Sequence, residues 1–215
     1  MNASLDLKNL ERKAWVSYHQ DGLFDLYLGL LLFCIAITNS LLEVGLDSWL
    51  RYLIFFILLG GSWLLFWAGK RFITTPRLGQ VKFSAARRKR KVQLAIIMSF
   101  FVLLNVLLLF LTIGARNNPD TWGRFMPQAE LFGLFVGVYV GSAVALIAYF
   151  KDISRGYYMA LVYAVTFAAV EIFENPALYW IGGALIFIPG VVLFVRFLQR
   201  HPLPPSEVTL DQPGA

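Results

Sequence analysis

Residues 86–113 read ARRKRKVQLAIIMSFFVLLNVLLLFLTI. Five consecutive cations, Arg87 to Lys91, run straight into Val92–Ile113, which holds no charged residue at all. An apolar run of about 20 residues is what an α-helix needs to cross the hydrocarbon core of a bilayer. A cluster of Lys and Arg at one end marks that end as cytoplasmic. This one stretch therefore sets both the solvent and the orientation of the chain.

Five more stretches of the same character lie around it. They cover Leu23–Leu42 and Leu50–Ala68 before it, then Ala129–Phe150, Tyr157–Phe173 and Ala177–Leu198 after it. Six spans consume about 120 residues at about 20 each. The chain has 215 residues, so short loops and two modest ends remain, without room for a separate soluble domain. Composition agrees. Hydrophobic residues make up 58% and charged residues 15%, against about 25% charged in an ordinary soluble domain. The expected fold class is an all-α, polytopic transmembrane helical bundle.

Charge gives the topology. The segment Lys70–Lys91 contains nine Lys or Arg and no Asp or Glu. If it is cytoplasmic, six spans put both ends there too. Sixteen of the 19 Lys and Arg then fall inside, and only Arg51, Arg116 and Arg124 outside. That bias is the one the positive-inside rule describes. Residues 4–20 read as an amphipathic helix on the membrane surface, with Leu7, Leu10, Ala14 and Tyr18 on one face. Asp21-Gly22 is a turn signal ahead of the first span. Residues 200–215, with Pro202, Pro204, Pro205 and Pro213, read as a disordered tail. No cleavable signal peptide is expected, since the first apolar run is too long for one. Cys34, the single cysteine, reads as a small packing residue.

Several positions are candidates for more than packing. Gly133, Gly137 and Gly141, continued by Ala145, form a smooth stripe on the fourth span. The stripe reads either as contact with a helix of the same chain or as a homodimer seam. Gly60-Gly61-Ser62 and Gly182-Gly183 are its natural partners. Asp25 lies in the first turn of the first span, where a carboxylate complements the helix dipole. Its sharper reading is an intramembrane cation or proton site, with Arg155 placed to neutralise it. Glu171 and Glu174 are three residues apart, share a helix face, and form a candidate ion site that Glu130 can join. Asn105 and Asn39 are expected to bond across helices. Pro189 is expected to kink the sixth span.

The basic segment carries Arg77, Lys82, Arg87, Arg88, Lys89, Arg90 and Lys91. Beyond topology, it suits anionic lipid headgroups or a partner subunit. Nucleic acid is not expected, because no aromatic platform accompanies the cations. Within it, Thr74–Gly79 reads as an extended stretch and a turn, and Val81-Lys82-Phe83 as a strand-like piece.

The segment Thr75–Phe83 (TPRLGQVKF), together with Arg196-Phe197-Leu198 and Pro202-Leu203-Pro204, resembles segments of uncharacterised prokaryotic multi-pass membrane proteins. The resemblance implies a bacterial or archaeal cytoplasmic membrane, and no activity. No metalloprotease, phosphate-loop or nucleophile-elbow motif is present, and neither metal nor cofactor is expected. The leading functional expectation is a non-enzymatic membrane protein that binds or moves a small or lipidic ligand, or serves as a membrane subunit of an assembly. The alternative is a membrane-embedded enzyme acting on lipid, with the carboxylates as acid–base groups.

Overall fold

The computed structural model describes residues 20–78, 85–117 and 129–202. Six helices in it are long and apolar enough to cross a membrane. They are α1 (Leu23–Glu43), α2 (Ser48–Ala68), α3 (Ala85–Asn117), α4 (Ala129–Lys151), α5 (Gly156–Phe173) and α6 (Leu178–Arg200). Among the described residues there is no strand. A helix satisfies its own backbone groups, which is the condition for an uncovered segment to survive in hydrocarbon. The expected surface helix up to His19, the strand-like piece with Lys82, and the tail beyond Pro202 lie outside the described residues.

Two boundaries differ from the sequence reading. The stretch Thr74–Leu78 is helical, not extended. After α2 the chain passes through a π-helical turn, Gly69–Thr74, into a short α-helical turn, Thr75–Leu78. Pro76 lacks an N–H, so nearby carbonyls lose a donor. Two side-chain bonds tie this stretch down without replacing that donor: the Thr75 hydroxyl donates to Lys70 O at 2.7 Å, beside the Thr75 N–H, and Arg77 Nη1 donates to Ile73 O at 3.0 Å. The second difference is that Arg87–Lys91 belong to α3 rather than to a loop. Ala, Arg and Lys are all strong helix formers, so the helix extends back to Ala85. At 33 residues and about 1.5 Å per residue, α3 outruns a hydrocarbon core of about 30 Å. Its basic turns therefore stand clear of the apolar slab.

The core is built by four helices. Leu28, Leu32 and Ala36 of α1 pack with Val144 of α4, Tyr163 of α5 and Ile186 of α6. α2 packs on α1, and α3 meets α4. The large side chains of these two outer helices, such as Phe56, Trp63, Phe100 and Leu103, are exposed. In a membrane that exposure is contact with lipid tails and needs no protein partner.

Small residues set the helix spacing. A Cβ added at Gly137 would strike Ala164 O, and one at Gly141 would strike Ala164 Cβ. Gly133 faces Ala168 and Glu171 in the same way. The stripe of α4 is thus filled by an alanine row on α5 of the same chain, and a second copy would have to meet a different face. Gly182 lies against Thr166 of α5 and Gly183 against Phe33 of α1, while Gly60 and Gly61 face open space. None of the four meets the stripe, contrary to expectation. The start of α1 comes close to α6 at Gly22, where a Cβ would lie 2.6 Å from Gly190 O. Gly22 also has φ +78, a left-handed conformation that favours glycine.

Of the two asparagines expected to bridge helices, Asn105 of α3 does so. Its Nδ2 donates to the Tyr139 hydroxyl of α4 at 2.6 Å. Asn39 turns back instead, donating to Ile35 O of its own helix at 2.9 Å. α6 runs continuously through Pro189.

Candidate functional site

Alternating helix direction gathers six helix ends at one end of the bundle. Asp21 and Gly22 lead into α1 there, and Lys70 and Thr74 continue α2. The basic turns of α3, Lys151 at the end of α4, Arg155 at the start of α5 and Arg200 at the end of α6 complete the set. Contacts among these groups, described next, fix this basic end.

Asp21 is fully buried. A buried carboxylate is tolerated only when paired and hydrogen-bonded. Asp21 meets that condition three times. Lys70 Nζ donates to Oδ2 at 2.8 Å, and the Thr74 hydroxyl donates to the same oxygen at 2.6 Å. The backbone N–H of Leu23 donates to Oδ1 at 3.2 Å, so the same side chain satisfies one of the free N–H groups at the start of α1. Lys70 and Thr74 are four residues apart in the wide turn after α2, which presents both to one acceptor.

Asp25, one helical turn on, is 3% exposed. Arg155 Nη1 donates to its Oδ2 at 2.9 Å. Its Oδ1 is buried and accepts no hydrogen bond among the described residues. Lys151 adds a third cation nearby, with Nζ 4.7 Å from the centroid of the Phe24 ring, in a cation–π arrangement. Further out, Arg90 reaches Asp152 at 3.4 Å in an exposed pair. Asp152 has φ 54, which sets the tight turn between α4 and α5. Lys89, Arg90 and Lys91 are exposed on α3, Arg87 and Arg88 precede them on the same helix, and Lys82 lies outside the described residues.

The acidic candidates at the opposite end are less organised. Glu174 leaves α5 in a left-handed conformation, φ 50, and is exposed. It therefore does not continue the helix face that carries Glu171. Glu171 is half-buried and backs onto Gly133. Glu130 lies in the first turn of the adjacent α4. Among the described residues no group of three His, Cys, Asp or Glu is placed to hold a metal.

Among the described residues, two cavities open at the basic end. The larger, about 510 Å³, is a groove between α1, α2 and α6. Leu26, Leu30, Phe66, Phe72, Phe187 and Phe194 supply most of its wall, so it is almost wholly apolar. The smaller, about 310 Å³, mixes basic side chains with apolar wall from Leu193 and Phe197. Arg155 from α5 and Arg196, Arg200 and His201 from α6 line it, with Gln20 at its edge.

Sequence reasoning singled out Asp25 and Arg155 but not Asp21, Lys70 or Thr74 as site residues. Their shared signal is weak. Asp21 reads as a turn residue, and Lys70 as one cation among nine. What joins them is a contact across 49 residues, which no period in the sequence encodes.

Fold and site together define a class: a multi-pass helical membrane bundle whose described residues include six span-length helices, with buried ion pairs and two cavities at one end. No family model, curated protein or solved structure matches this chain.

Proposed function

We propose that this protein is a non-enzymatic membrane protein that binds a lipidic ligand at its basic end, and that this end lies on the cytoplasmic side. The observation that carries the reading is the apolar groove between α1, α2 and α6. Its volume falls within the roughly 300–1,000 Å³ of small-ligand pockets. Its wall offers an acyl chain aromatic and aliphatic contacts, with Tyr27 and Ser62 as the polar exceptions. A chain embedded in a bilayer is surrounded by acyl tails, so the occupant need not come from water. The buried pairs Asp21–Lys70 and Asp25–Arg155 support the reading as a rigid frame for the groove's inner end. Orientation rests on the excess of Lys and Arg at this end.

Ala68 lines the groove on α2, and Ala68→Trp fills it from one wall. Native mass spectrometry on protein released gently from its membrane reads the outcome. The unsubstituted chain is expected to retain a lipid that Ala68→Trp loses, at unchanged thermal stability. Equal retention by both rules out the groove. Conversion of the retained lipid into product by the purified protein would replace the binding reading with the enzymatic one.

A further inference from the structure

The 310 Å³ cavity beside the groove has the chemistry of an anion site. Arg155 enters from the start of α5, and Arg196 and Arg200 from the last two turns of α6. Arg196 and Arg200 are four residues apart, so they share a helix face and repel one another. Among the described residues no carboxylate pairs with either. Arg155 is held by Asp25 at 2.9 Å with its side chain 30% exposed, so the ion pair orients it while leaving part of it accessible.

The ordinary explanation is that cations at a helix C-terminus complement the dipole and hold the cytoplasmic side. It accounts for Arg196 and Arg200 singly. It does not account for a third guanidinium converging on the same cavity from another helix, fixed there by a buried carboxylate. Guanidinium groups present forked donors that match phosphate oxygens two at a time. Charge balance narrows the ligand. Asp25 offsets Arg155, which leaves the two charges of Arg196 and Arg200. A phosphate monoester carries about −1.5 to −2 at neutral pH.

We propose that the cavity lined by Arg155, Arg196 and Arg200 binds a phosphate monoester, and so gives the head-group class of the ligand whose tail the groove reading places alongside. The inference rests on that reading for the tail alone. Leu193 lines the cavity and Phe194 the groove, so consecutive residues of α6 border the two.

The test uses the full chain in nanodiscs of phosphatidylcholine doped with phosphatidic acid, with retained lipid counted by native mass spectrometry. Arg196 and Arg200 are exposed, so Arg196→Gln/Arg200→Gln is expected to fold, as checked by an unchanged melting midpoint. The expected result is at least a tenfold loss of retained phosphatidic acid in that variant, with phosphatidylcholine retention unaltered. Equal retention of phosphatidic acid by both proteins, with no phosphate-dependent shift in the second arm, overturns the site. If phosphatidylcholine stays bound meanwhile, the groove reading survives that failure. A second arm adds inorganic phosphate to the protein in detergent. A rise in melting midpoint that the double variant lacks supports the phosphate site and assigns it a soluble source. If neither lipid is retained and phosphate does not shift the midpoint, both the site and the groove are excluded.

Discussion

Asp21 shows what a single side chain contributes at the basic end. It is buried with three donors, and it cannot be treated as half of a surface pair. Removing one partner of a buried pair strands the other charge, at a cost of about 3–5 kcal/mol. Lys70→Met is therefore expected to lower the melting midpoint of the detergent-solubilised protein sharply. Asp21→Asn/Lys70→Met removes both charges and is expected to recover much of that loss. If single and double variants melt together, burial of the charge is not what the pair resolves. Legibility at this scale was uneven, for a physical reason. Asn105 bonds back to Phe101 O of its own helix and also reaches the Tyr139 hydroxyl across the α3–α4 contact. Asn39, near the end of α1, satisfies itself on Ile35 O. Asp21 looked like punctuation, since a carboxylate before a glycine is common in turns that are fully solvated.

At the scale of elements, glycine is the informative residue, and context decides what each one does. Gly137 and Gly60 look alike in sequence: both lie in mid-span among large apolar side chains. A Cβ at Gly137 meets the backbone of α5, whereas one at Gly60 meets nothing within 4 Å. Gly137→Ala is expected to force α4 and α5 apart and cost about 1–3 kcal/mol, the range for overpacking. Gly60→Ala is expected to change stability by about 0.5 kcal/mol or less, as surface substitutions do. Thermal unfolding in one detergent compares them. A large loss at Gly60 would instead show that α2 meets a partner through that face. The helices themselves were readable, because a lipid-facing helix is apolar all round and its length is set by the bilayer. Their junctions were less so. The turn around Pro76 and the basic start of α3 both proved helical, since side-chain bonds at one and strong helix formers at the other outweigh the breakers that composition emphasises.

For the molecule as a whole, the central expectation is orientation. Among the described residues the buried ion pairs sit at one end, and the link between α1 and α2, with Glu43 and Asp47, lies at the other. Cys34 is the single cysteine, so a Cys34→Ala background leaves the chain without cysteine. In that background Leu46→Cys is expected to react with a membrane-impermeant maleimide on intact cells. Ser154→Cys, in the turn between α4 and α5, is expected to react only after permeabilisation. The opposite pattern would invert the topology and put the groove and the arginine-lined cavity on the outer face.

The first and last spans pack against each other, through Gly22 and Gly190 at one level and Gly29 and Phe187 at another. This has a consequence in time. Chains are made at roughly 5–20 residues per second, so α1 waits on the order of ten seconds in the insertion machinery or the bilayer before α6 exists. The two acids at its start, Asp21 just before it and Asp25 in its first turn, do not wait equally. Lys70 and Thr74 emerge early enough to take Asp21 while synthesis continues, but Asp25 has no guanidinium until α5 arrives. The order of birth thus makes α1–α2 a hairpin able to form alone, and makes Asp25 the group that keeps the half-made protein unfinished.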